Sequence, residues 1–276
     1  MAQRIVVHAG FHKTGTTSAQ RFLRANAKVI RPHAALVLPW RLRKGPARLS
    51  ARYAQYRTEQ LLDAFATELD ALLQDTDLGA RRGLILSDEN LAGRMPGRDG
   101  LTGYDAAPAL LGRMGQVLRS RFGDTADIRF CLVTREPQSW IRSLWAHNLR
   151  TTRMTLDLVE FRGQMQGLIE IEPLLDRITQ AVAPATLTTA TLEEMSDGPE
   201  GPARLLLDQI GLPAELRDLL APQPRRNASP EAAVTAELLA MNRSHLDDDA
   251  LAQQKADLLQ VAEGESTAAE GETNVG

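Results

Sequence analysis

Arg4-Ile5-Val6-Val7-His8-Ala9-Gly10-Phe11-His12-Lys13-Thr14-Gly15-Thr16-Thr17 is the stretch whose reading decides the fold. It predicts a short buried strand, a loop bounded by two glycines, and the first turn of a helix. A strand that delivers its loop onto a helix N-terminus makes an anion site, because unpaired backbone N–H groups and the positive end of the helix dipole converge on one spot. Phosphate is the anion this arrangement suits. Gly10 and Gly15 keep the four-residue gap of a Walker A loop, but Thr16 stands where that loop has its lysine. The lysine is Lys13, inside the loop, where it meets a phosphate from a different angle and reaches a bridging or leaving-group oxygen.

Working outward, two further apolar runs of strand length end in charged residues. Gly83-Leu84-Ile85-Leu86-Ser87 is followed at once by Asp88-Glu89-Asn90, and Ile128-Arg129-Phe130-Cys131-Leu132-Val133-Thr134 by Arg135-Glu136-Pro137. Helical periodicity lies between them, with apolar residues at three- and four-residue intervals from Leu61 to Leu73 and from Leu110 to Leu118. Strands alternating with helices predict an α/β fold, a three-layer α/β/α domain with a central parallel sheet resembling the P-loop NTPases. In such sheets ligands bind beyond the carboxyl ends of the strands, so Asp88 and Glu89 face the first loop across a crevice. Either carboxylate is a candidate general base. Alternation does not decide which points inward, and Asp88 or Asn90 also suits a helix N-cap. At the other strand end, Arg135 offers forked donors for phosphate, Pro137 fits a first helical turn, and Ser143 falls two turns into that helix.

Phe11-His12-Lys13-Thr14-Gly15-Thr16-Thr17 resembles the 5′-phosphosulfate loop of the PAPS-dependent sulfotransferases. Arg135, with Ser143 eight positions later, resembles the same family's 3′-phosphate motif. The resemblance implies PAPS as donor, PAP as product and no metal. It implies that Lys13 steadies the departing phosphate while His12, Thr14, Gly15, Thr16 and Thr17 hold the 5′-phosphate and Arg135 with Ser143 grips the 3′-phosphate. The lysine-x-histidine segment of many cytosolic members is missing, whereas Ser87-Asp88-Glu89-Asn90 resembles carbohydrate-type members with a glutamate base near a strand end. The late Arg-Lys-Gly-like element is also absent, and Arg225 and Arg226, in a proline-marked loop, are the candidates to replace it. Ser18 stands where many relatives carry an aromatic residue beside the nucleotide. The implied reaction is transfer of a sulfonate group to a hydroxyl or amine of a carbohydrate or small metabolite. Two other readings remain: a P-loop kinase using ATP and magnesium, which would want a lysine directly after Gly15, and a nucleotide-binding protein without catalysis.

At 276 residues and 43% hydrophobic content, the chain suits a single domain over residues 1–261. A net charge of −3 gives no support for a nucleic-acid partner. Cys131 is the only cysteine, which excludes a disulfide framework or a cysteine-based zinc site. No run approaches the roughly 20 apolar residues of a membrane span, and with no apolar leader a cytoplasmic location is expected. Residues 31–50, marked by Pro32, Pro39, Gly45 and Pro46 and carrying Arg41, Arg43, Lys44 and Arg48, read as an irregular basic loop, more simply a solvated one than a contact for an acidic substrate. Residues 93–105 read as a glycine-rich mobile loop, and Asp247-Asp248-Asp249 as a solvated helix start. The Glu/Gly/Ser/Thr/Ala tail, residues 262–276, is expected to be disordered.

Overall fold

The computed structural model describes residues 3–78, 82–222 and 232–272. The chain forms two compact units, Met1–Trp140 with Met165–Arg226, and Ile141–Gln164 with Asn227–Gly276.

Five strands make the sheet of the first unit: β1 (Arg4–His8), β2 (Ala34–Val37), β3 (Gly83–Ser87), β4 (Asp127–Thr134) and β5 (Thr186–Thr191). All pair in parallel, in the order β2-β3-β1-β4-β5. The helices of the first half are α1 (Thr16–Ala25), α2 (Ala27–Ile30), α3 (Pro39–Leu42), α4 (Pro46–Tyr56), α5 (Glu59–Gln74) and α6 (Ala107–Phe122). Then follow α7 (Pro137–Thr151), α8 (Leu158–Gln164), α9 (Gln166–Ile169), α10 (Glu172–Val182), α11 (Leu192–Met195), α12 (Arg204–Ile210), α13 (Ala214–Arg217), α14 (Ala232–Arg243) and α15 (Asp248–Glu272).

Strands buried on both faces read as continuous apolar runs, and the central strands do so because helices cover both sides. On one face Val6, Ile85, Cys131 and Val133 pack with Phe22 and Leu23 of α1 and Leu206 and Ile210 of α12. On the other, Val7 pairs with Phe130, and the Phe130 ring lies against Gly115 of α6. The three layers are therefore α/β/α. With neighbours on both sides, β1 is central, and its loop opens between the ends of β3 and β4. The edges are blunted: β2 has four residues, and β5 reads Thr-Leu-Thr-Thr-Ala-Thr.

Residues 31–50 are not an irregular loop. Ala34–Val37 is the edge strand, and Pro39 and Pro46 open α3 and α4. Proline at a helix start sacrifices only an N–H that has no partner there, so residues that punctuate the sequence like a loop are helix starts. Helix α4 ends before Arg57 at φ +54°, and the Leu61–Leu73 periodicity falls within α5, which begins at Glu59. Pro173 likewise lies in the first turn of α10. Among the described residues no helix is long and apolar enough to cross a membrane.

In the second unit α7 continues from Ile141, and its end is closed by two side chains. Asn242 Nδ2 donates to the carbonyls of Leu149 (3.1 Å) and Met154 (2.8 Å). Lys255 Nζ donates to those of Leu149 (2.7 Å) and Thr152 (2.8 Å). Asp247 accepts the Ala250 N–H at 2.8 Å and so caps α15, while Asp248 pairs with Arg153. Helix α15 runs to Glu272, into the stretch expected to be a disordered tail. Alanine and glutamate favour helix intrinsically, so the backbone continues without an apolar face to direct it. Residues 273–276, and the candidates Arg225 and Arg226, lie outside the described residues.

Candidate active site

The site is built at the carboxyl end of β1. After His8 the chain turns through Gly10–Gly15 into α1, with Lys13 at φ +67° and Gly15 at φ +88°. Gly15 is required twice over. Its φ disfavours a side chain, and a Cβ there would stand 2.7 Å from Leu192 Cδ1 and 2.8 Å from Pro202 Cγ. No side-chain hydrogen bond caps α1, whose N-terminus carries the positive end of the helix dipole. The Thr14 and Thr16 side chains are buried, and both hydroxyls donate to the Phe11 carbonyl, at 2.7 and 3.4 Å. Those two threonines thus shape the loop with their hydroxyls and offer a ligand their backbone N–H groups, while the Thr17 side chain is exposed.

The end of β3 supplies the carboxylates. Asp88 is fully buried, and its Oδ1 accepts both the backbone N–H and the side-chain Nδ2 of Asn90, each at 2.8 Å. It is thus the N-cap of a short 3₁₀ turn, Glu89–Ala92. Arg43 bridges the pair, with Nε 3.1 Å from Asp88 Oδ2 and Nη2 2.8 Å from Glu89 Oε1. Gln20 of α1 reaches Glu89 Oε2 at 3.4 Å and the Ser87 carbonyl at 3.3 Å. Burial, and then the neighbouring Glu89 charge, push the Asp88 carboxyl up to about 6. The Glu89 side chain keeps 15% exposure and is the carboxylate of the two that a solvent-borne group can reach.

His12 joins the loop to this cluster. Its N–H donates to the Tyr104 hydroxyl at 2.8 Å, Nδ1 lies 3.1 Å from the same oxygen, and Nε2 lies 3.3 Å from Asn90 Oδ1. Asn90 is oriented by its Nδ2 donating to Asp88, so its Oδ1 accepts from His12 Nε2–H, and Nδ1 takes the Tyr104 proton. Burial lowers His12 to about 3, opposed by the Asn90 hydrogen bond and aided by the charges of Arg98, Arg43 and Lys13. His8, whose Nδ1 lies 2.9 Å from Ser87 Oγ, is lowered to about 4 by burial. Both imidazoles are neutral at neutral pH. Trp140 Nε1 fixes the loop from behind, donating to the His12 carbonyl at 2.9 Å.

At the end of β4, Arg135 Nη1 donates to the Lys13 carbonyl at 3.4 Å, and its Nε lies 3.9 Å from Glu193 Oε1. That Nε is buried and makes no hydrogen bond. Glu136 does not pair with Arg135 but caps α7, accepting the Gln138 and Ser139 N–H groups at 2.8 Å each. Ser143 is half-buried on α7, in the stretch that belongs to the second unit. The geometry therefore gathers His12, Lys13, Gly15, Thr16, Asp88, Glu89 and Arg135 around one loop. The sequence reading missed Gln20, Asn90's link to His12, Arg98 and Tyr104. Gln20 carried a signal, since it lies four residues past Thr16 on the same face of α1.

No family model matches the chain, and no curated protein matches it. Among solved structures it is similar to a sulfotransferase from Alicyclobacillus acidocaldarius, at 16% identity over 89% of this chain and 97% of that one, with a TM-score of 0.45. A likeness of that strength carries no argument about activity.

Proposed function

We propose that the chain is a sulfotransferase that moves a sulfonate group from PAPS to a hydroxyl or amine acceptor. The observation that supports this most is the contact of Arg135 with the Lys13 carbonyl at 3.4 Å, which ties the cation after β4 to the phosphate loop after β1. One loop flanked by two cations suits a nucleotide with phosphates at both its 5′ and 3′ ends. The Lys13 ammonium, the loop amides and the N-terminal end of α1 receive the 5′-phosphate, and Arg135 receives the 3′-phosphate.

Glu89 is the base. Asp88 is buried with both oxygens engaged, and the two histidines are enclosed, whereas Glu89 is oriented by Arg43 and Gln20 and remains accessible. As the acceptor oxygen or nitrogen bonds to sulfur, its proton passes to Glu89. The bond between sulfur and the phosphate oxygen breaks, and its electron pair stays on PAP, where Lys13 and the loop amides stabilise the charge. A kinase reading fits less well, because Thr16, at the position of the Walker lysine, is buried with its hydroxyl turned to Phe11. The test is transfer from sulfur-labelled PAPS to a panel of hydroxyl and amine acceptors. Glu89→Gln is expected to abolish transfer while 3′,5′-ADP still binds, and activity surviving in that variant would remove Glu89 from the mechanism.

A further inference from the structure

We infer that the acceptor is a ring-bearing anion, seated against Trp40 with its negative substituent on Arg43 and Lys44; this rests on the sulfotransferase reading of the site. The turn of α3 continues through Arg43, which has helical dihedrals and whose N–H donates to the Pro39 carbonyl at 2.8 Å. Trp40 and Arg43 therefore stand three residues apart on one face, and Lys44 follows in the adjoining turn. All three are exposed, Trp40 by 63%. The other two tryptophans are buried, so one large apolar ring is left at the water beside two cations.

That face adjoins the proposed base directly. Arg43 holds Asp88 and Glu89 with Nε and Nη2, its Nη1 has no partner among the described residues, and its side chain is 53% exposed. A guanidinium anchored on one edge presents the other in fixed orientation, which suits a carboxylate or similar anion. The two carboxylates at the end of β3 would repel an acidic acceptor, and Arg43 offsets only one of them. Lys44, one residue on, supplies a second positive charge on the same surface. Arg98 and Lys13 add to the positive surroundings of His12, in a chain whose net charge is −3. The indole face takes up the flat side of a ring, and the cations select the ring that carries the charge.

The experiment uses the full chain saturated with 3′,5′-ADP and two matched ligand pairs. Phenyl β-D-glucuronide is set against phenyl β-D-glucoside, and 4-hydroxybenzoate against 4-hydroxybenzyl alcohol, with affinities from calorimetry and binding followed by tryptophan emission. Expected is at least about tenfold tighter binding of the anion in one or both pairs. The emission change should vanish in Trp40→Leu, and the discrimination should shrink to about twofold or less in Arg43→Gln and in Lys44→Gln, with 3′,5′-ADP affinity retained. Equal affinities within both pairs, or an emission change that survives in Trp40→Leu, overturns this inference alone. A loss of 3′,5′-ADP affinity in Arg43→Gln overturns it too, by assigning that residue to the donor. Failure of the unaltered chain to bind 3′,5′-ADP overturns the sulfotransferase reading as well.

Discussion

The polar side chains around the end of α7 and those around the phosphate loop are built from the same kinds of group and are satisfied to different degrees. At α7 the carbonyls that helix geometry leaves without partners meet Asn242 and Lys255, and Leu149 receives both. Around the loop, the N-terminus of α1 has no side-chain cap and half of Arg43 is exposed, whereas buried atoms without a hydrogen bond occur in both regions, Arg135 Nε beside the loop and Asn242 Oδ1 and Arg150 Nε beside α7. A closed cluster contributes stability. An open one leaves donors for a ligand to complete, so substitutions in the two regions should separate cleanly into effects on folding and effects on chemistry.

The largest expected effect is on chemistry alone. Lys13→Ala should lower kcat by about 10²–10³, near 3–4 kcal/mol in the barrier, as measured with labelled PAPS. The melting temperature should move by no more than about 2 °C; a larger fall would make the open cluster a stability element and erase the contrast.

Acid sensitivity sharpens the comparison next. His8 is fully buried with its pKa lowered from 6.5 to about 4, so its contribution to stability is complete above 6.5 and is lost as pH falls through 4. A shift of that size corresponds to roughly 3 kcal/mol. His12, lowered from 6.5 to about 3, acts in the same direction over the same window and further, down through pH 3. Asp88, raised to about 6, works the other way, with a contribution complete below 3.8 and lost as pH rises through 6. Unfolding free energies from urea titrations between pH 7 and 4 should therefore fall with acid, flatten in His8→Asn and steepen in Asp88→Asn. An unchanged slope in both variants would contradict the assigned protonation states.

Lys255→Met tests the closed cluster. Removing an ammonium that donates to two carbonyls should cost about 2–3 kcal/mol of unfolding free energy in urea titrations. A change below about 0.5 kcal/mol would mean water replaces the lysine without loss. The smallest effect is expected from Tyr104→Phe, which removes the hydroxyl shared by His12 N and Nδ1. About 1–2 kcal/mol of stability should go with it, accompanied by a rise in donor KM, because the loop loses its anchor. A lower stability with unaltered KM would make Tyr104 purely structural.

The strand–loop–helix turn from β1 into α1 was legible because its signals are local. Gly10 to Thr17 carry the turn, the cation and the helix start in eight consecutive residues. The carboxylates were legible for a related reason, since the end of a buried strand fixes where the next side chains emerge. Arg43 was legible only as a basic residue, because its reach to Asp88 crosses 45 positions and depends on the edge strand β2 and on α3, which the prolines disguised as loop. Tyr104 sits in a glycine-rich stretch whose pattern gives no hint of a fully enclosed ring. The closure of α7 was invisible for a stronger form of the same reason: Lys255 lies 106 positions from the carbonyl it meets, and no periodicity records such a pairing.

The central claim, that one loop with a cation on either side holds a nucleotide by both its 5′ and 3′ phosphates, is tested most directly by calorimetric titration of the chain with 3′,5′-ADP, 5′-AMP and magnesium–ATP in parallel. The account predicts that 3′,5′-ADP binds at least about tenfold more tightly than either of the others and that Arg135→Ala removes most of that advantage. Tighter binding of magnesium–ATP, or equal binding of 3′,5′-ADP and 5′-AMP, would contradict it.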